Sequence, residues 1–175
     1  VLFNSDFFKE ARFKKIKSPL ELVTGVINLV GVEDLPIPET TEYHTAITYM
    51  GQELANPPSV ESWHTGTEWI DGGALNERVN FAVNKVSDLS RPGMIDLINR
   101  VRNEGDSLSP GHFVDKCLEL VGPVEVNGET KKTLMALAES GGELTFSTET
   151  EFASSTDRII QLVRLIVSSS EYQYA

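Results

Sequence analysis

The strongest constraint on what this chain can fold into is a recurring device for starting helices. In "SPLELVTGVINLVG", Ser18 stands where a side chain can accept from a free helix N–H. Pro19 follows at the first helical position, where its missing N–H costs nothing. "LSPGHFVDKCLELVG" repeats the device with Ser109 and Pro110, and "SRPGMIDLINRVRNEG" offers Ser90 as cap ahead of Pro92. Gly31 and Gly122 close the first two runs, as C-cap glycines do. A chain punctuated in this way is expected to pack helices.

Apolar spacing agrees. Leu20, Val23, Ile27 and Val30 form one predicted face, and Tyr43, Ile47, Met50 and Leu54 a second. Leu75, Val79, Ala82 and Val86 make a third, and Met94, Leu97, Ile98 and Val101 a fourth. The Ser109 helix presents Phe113, Val114, Cys117, Leu118 and Val121, and Asn127 is placed to cap another helix. In "SSTDRIIQLVRLIVSSSEYQYA" the apolar surface from Ile159 to Val167 is so wide that the helix belongs in the centre of a bundle or against a missing partner. "VEDLPIPETT" reads as an acidic, proline-broken linker, and "ELTFSTETEF" allows a short extended stretch. Strand alternation is otherwise unconvincing, and no fixed-period repeat is present. The expected fold is all-α, an irregular multi-helix bundle with a long Trp- and Pro-containing loop. The 175 residues suffice for a single helical domain over 1–175.

Charge narrows the partners. The formal net charge is −11, which argues against nucleic acid and anionic membrane surfaces. Lys9, Arg12, Lys14, Lys15 and Lys17 make the start locally basic, and such a run is read as a solvated helix face. One cysteine, Cys117, permits no internal disulfide. No apolar run approaches the roughly 20 residues of a membrane span. The chain opens on Val1 and runs directly into "VLFNSDFFKEARF", so it is expected to be a fragment or processed part of something longer.

The candidate chemistry gathers in "GQELANPPSVESWHTGTEWIDGGALNERVNFA", Gly51 to Ala82. Trp63 and Trp69 could stack on apolar sugar faces while Glu61, Glu68 or Asp71 bonds hydroxyls, and paired carboxylates are also what glycoside chemistry needs. The bland reading, which we favour, is that the two indoles plug the loop onto the bundle. His64, with Glu61, Glu68 and Asp71 near it, could complete a mixed oxygen–nitrogen site, but it lacks a second His or Cys at ligand spacing, and no metal or cofactor is expected. His44 and His112 are read as structural. Cys117, on an apolar helix face, is read as a buried inert thiol. Asn76, Asn80 and Asn84 put three amides on one side of a helix, more a solvated flank than a groove. Phosphate loops, dinucleotide fingerprints and serine elbows are absent. Arg78 is expected to pair with Asp71 or Glu68 and so to hold the Trp segment on the bundle.

"KIKSPLELVTGVINLVG" followed by the Gly51–Ala82 stretch resembles the C-terminal part of the bacterial family catalogued as domain of unknown function 1800. Its pattern runs roughly Lys-x-Pro-x-Glu-Phe, Gly-Gln-x-Leu, Pro-Pro-x-Val-x-Gly-Trp, Trp-Ile, Leu-x-x-Arg-x-Asn-Phe. Lys17, Pro19, Glu21, Gly51, Gln52, Pro57, Pro58, Val60, Trp63, Trp69, Ile70, Leu75, Arg78, Asn80 and Phe81 match it. The closing "LVRLIVSSSEYQYA" resembles its Ser-x-Glu-Tyr-Gln ending. Ser62 departs, standing where the family usually has glycine, and Leu22 stands where an aromatic is frequent. The resemblance implies an exported bacterial protein, periplasmic or at the cell surface, and supplies no catalytic residue. The expected function is therefore a non-catalytic module with a structural, assembly or partner-binding role. Its partner would be another protein or the remainder of a longer chain. The alternative is a carbohydrate-active or carbohydrate-binding protein that uses the Trp63/Trp69 loop.

Overall fold

The computed structural model describes residues 5–32 and 39–175; most of the expected proline-broken linker lies outside them. The chain is mostly α-helical. Helix α1 (Asp6–Ala11) precedes α2 (Pro19–Val30), α3 (Thr40–Tyr49) and a 3₁₀ turn, Gly66–Trp69. Then come α4 (Gly72–Val86), α5 (Pro92–Arg102), strand β1 (Ser107–Leu108), α6 (Pro110–Val121), α7 (Gly128–Ser140), strand β2 (Leu144–Thr145) and α8 (Glu149–Val167). A second 3₁₀ turn, Glu171–Gln173, precedes the end. Among the described residues no helix is long and apolar enough to cross a membrane.

Helix α8 packs on α4, α6 and α7, whereas α2 packs on α3, α4 and α5, so the α4–α8 contact joins two sets of helices. Ile159, Ile160, Leu162, Val163, Ile166 and Val167 of α8 are buried. The wide apolar surface is thus explained by a central position within the chain.

The local signals behave as their chemistry demands. Ser18 accepts from the Glu21 N–H while the Glu21 carboxylate accepts from the Ser18 N–H, a reciprocal capping box on α2. Ser109 caps α6 and Asn127 caps α7. The Ser90 expectation is corrected: Arg91 is the N-cap of α5, and the Ser90 hydroxyl donates to Asp88 instead. Gly93, at the second position of α5, lies against the last turn of α2. A Cβ there would stand 2.2 Å from the Leu29 carbonyl oxygen.

"ELTFSTETEF" divides. Leu144–Thr145 pairs antiparallel with Ser107–Leu108, a strand pair that alternation could not reveal at two residues each. Thr148 and Glu151 then form a capping box that starts α8 earlier than the apolar run suggests. In α4 the buried face is Ala74, Arg78, Phe81, Ala82, Lys85 and Val86. Leu75, expected inside, is 37% exposed, and Val79 is half-buried. Two cations have taken core positions and turned the helix.

Candidate functional site

The Trp segment is tied down by its own polar groups. Met50 caps the end of α3, and Gly51 follows with φ 95, in the left-handed region that glycine adopts without strain. The buried Gln52 side chain then reaches back, accepting from the Leu20 N–H at 2.9 Å and so serving the first turn of α2. Pro57 and Pro58 are exposed. Ser59 to Ser62 make a tight turn, closed by the Ser62 N–H donating to the Ser59 carbonyl at 3.1 Å. Ser62 holds φ 84, the conformation of a glycine. Val60, within this turn, is fully exposed.

The indoles part company. Trp69 is buried at 5% exposure, with His64 edge-on to it at 6.4 Å between ring centroids. Trp63 is half-buried, its Nε1 donating to the Glu53 carbonyl at 3.0 Å. It lines an open hollow of about 460 Å³ together with Pro57, Pro58 and His64.

Two of the three candidate carboxylates are occupied as caps. Asp71 accepts from the Gly73 and Ala74 N–H groups, both at 2.8 Å, and so caps α4. Glu68 accepts from the Thr65 N–H in the 3₁₀ capping box and lies 3.5 Å from His64 Nδ1. Glu61 is exposed. Among the described residues no three of His, Cys, Asp and Glu come together to hold a metal ion.

The expected pairing of Arg78 with Asp71 or Glu68 is corrected. Arg78 is fully buried; its Nε donates to Gln173 Oε1 at 2.8 Å and its Nη2 to the Lys17 carbonyl at 2.7 Å. Those loop carboxylates are turned to helix ends, and the guanidinium instead joins segments distant in sequence. Lys17 Nζ donates to the Tyr172 carbonyl at 2.8 Å and lies 4.4 Å from the centre of that ring. The Lys17 N–H donates to the Gln173 carbonyl, and the Ala175 N–H to the Lys15 carbonyl. Burial pushes the Lys17 ammonium below its usual range, helped by the neighbouring Arg78 and opposed by Glu21. Burial also lowers Arg78, to about 10, and raises the Tyr172 phenol, to about 12.

This knot of Lys17, Gln52, Arg78, Tyr172 and Gln173 around the entry to α2 escaped reasoning from the sequence. The available signal was that several positions matching the family pattern, far apart in the chain, belong to it. Asn80, another such position, is exposed and lines, with Asn84 and Tyr49, a groove of about 470 Å³ between α3 and α4. Cys117 is buried and its thiol is pushed up to about 12 by burial, which leaves it protonated and unreactive. His44 is exposed, and His112 lies 3.4 Å from Glu104.

A family model described as "Protein of unknown function (DUF1800)" matches residues 1–174. No curated protein and no solved structure matches the chain. The chain belongs to that family.

Proposed function

We propose that this member of the DUF1800 family is a non-catalytic helical module of an exported bacterial protein, serving a structural or partner-binding role. The observation that carries the reading is Val60. It stands fully exposed between Pro58 and Trp63, on a loop whose stem is held by the buried Trp69 and by the Trp63 bond to Glu53. Held on a fixed stem, this side chain would lose little freedom on meeting another protein or another part of a longer chain. The occupied loop carboxylates support the same view, because a group that caps a helix is poorly free to move protons. The net charge of −11 makes nucleic acid an unsuitable partner.

A second reading, carbohydrate binding, keeps one observation in its favour: half-buried Trp63 lines an open hollow beside His64. The test is a photo-crosslinking residue at position 60 of the full-length protein in its bacterial host. A discrete adduct to another polypeptide, or a discrete internal crosslink to another part of the same chain, identified by mass spectrometry, supports the proposal. An adduct to glycan, or none above the yield at an exposed control position such as Glu139, overturns it.

A further inference from the structure

Helices α3 and α4 face one groove with rows of polar side chains set at the same interval. On α3, Thr41, Thr45 and Tyr49 follow four residues apart and are all exposed, Tyr49 at 71%. On α4, Asn80 and Asn84 repeat that interval, and Asn76 extends the row by one turn. All of these except Asn76 line the groove of about 470 Å³ between the two helices. Its floor is the buried pair Ala46 and Phe81.

Among the described residues, nothing bonds the Asn80 or Asn84 amide. An asparagine inside a helix competes with the backbone for hydrogen bonds, so α4 itself gains nothing from either. The charges of the groove are also unequal. Glu42 lies 2.8 Å from Lys85 Nζ, and that pair cancels. Glu77 lines the groove three residues before Asn80 and meets no cation among the described residues, which leaves one negative charge over.

We infer that this groove holds an extended polypeptide segment that carries a basic residue. The Asn80 and Asn84 amides bond alternate peptide units of its backbone, and Glu77 pairs with its basic side chain. A side-chain amide offers one acceptor and two donors, which complement the donor and acceptor of a peptide unit. Four residues of helix advance about 6 Å, and two residues of extended chain about 6.8 Å, so successive asparagines meet alternate peptide units. A helical segment would have its backbone groups already bonded within itself and could not use the amides. A neutral glycan could use them but would leave Glu77 unmatched. On the opposite wall the Thr45 hydroxyl gives its proton to the Thr41 carbonyl at 2.8 Å, so toward a bound chain it is an acceptor for a backbone N–H. The groove shares no residue with the Val60 turn or the Trp63 hollow, and the inference does not rest on the reading of Val60.

The experiment selects a displayed library of random heptapeptides on the whole chain, with the Asn80→Ala/Asn84→Ala double variant as counter-target. The recovered peptides are then made with blocked ends and titrated by calorimetry. Both positions are exposed and alanine favours helix, so the double variant should keep or slightly raise the wild-type Tm. The expected peptides contain Lys or Arg and bind the wild type saturably. Their affinity should fall about tenfold or more in the double variant, and as much when alternate peptide nitrogens are methylated. Glu77→Lys should turn the selection toward acidic peptides. Recovery of no peptide that prefers the wild type to the double variant overturns the inference. So does binding that survives methylation, binding undiminished when the Lys or Arg is replaced by Glu, or saturable binding of cellohexaose alone.

Discussion

Arg78 ties together three segments distant in sequence. Its bonds reach the Lys17 carbonyl and Gln173 from the middle of α4, so its removal strands one buried and one part-buried acceptor and leaves a void. Each unpaired buried group costs about 1–3 kcal/mol, and Arg78→Ala should cost about 3 kcal/mol or more, a fall in Tm of at least roughly 6 °C. Arg78→Lys should recover less than half of this, because an ammonium cannot reproduce the fork of two N–H directions. A loss under 2 °C for Arg78→Ala would show that the knot contributes little. Ser62 gives a prediction of opposite sign. It holds a glycine-like φ of 84, so Ser62→Gly should raise stability by up to about 1 kcal/mol in urea unfolding, and a clear decrease would contradict that. Cys117 sets an alkaline limit. Its folded pKa, about 12, is above the unfolded value near 9.0, so its contribution is complete below pH 9 and is lost as pH rises toward 12. Between pH 9 and 10 unfolding free energy should fall more steeply in the wild type than in Cys117→Ala, where the parallel contribution of Tyr172 is unchanged.

At the level of helices, ends that depend on neighbours in sequence were readable and faces that depend on distant groups were not. Ser18 with Pro19, and Ser109 with Pro110, act on N–H groups three residues away at most, so the letters suffice. The face of α4 was misread because an apolar count passes over Arg78 and Lys85. Arg78 is held inside by a glutamine 95 residues later, while Lys85 lies between the Tyr43 and Phe81 rings, with Glu42 2.8 Å from its Nζ. Gly93 gave no signal in the sequence, and its lack of a side chain lets α5 meet the α2 backbone. Gly93→Ala should therefore cost several kcal/mol, more than any cap substitution, since the contact is with backbone that cannot turn aside. Asp71 and Glu61, weighed alike in the sequence as ligand groups, separate here. Asp71→Ala removes a cap and should cost about 1 kcal/mol, whereas Glu61→Ala should stay within about 0.5 kcal/mol. Equal effects would mean that the Asp71 cap is not what the residue is for.

Across the whole molecule, chain ends and middle are fastened at one place. Residues 15–17 pair with 173–175, Arg78 bonds across that pairing, and Gln52 serves the helix that follows it. The all-helical architecture was legible because periodicity and caps are properties of short windows. The candidate site was legible only as a stretch, since the division of labour within it is tertiary: Trp69 inward, Trp63 half-way, Glu68 and Asp71 on helix ends, Val60 outward. That division is the central claim, and the Trp63→Phe variant tests it most directly by leaving Trp69 as the sole tryptophan, excited at the red edge where tyrosine does not absorb. Acrylamide quenching of this variant should be weak in the folded protein and rise sharply on unfolding in urea, and the fluorescence of the wild type, with Trp63 present, should stay unchanged across a glycan panel. Quenching near that of free tryptophan in the folded state, or a saturable glycan response, would contradict the account and return the loop to the role of a binding site.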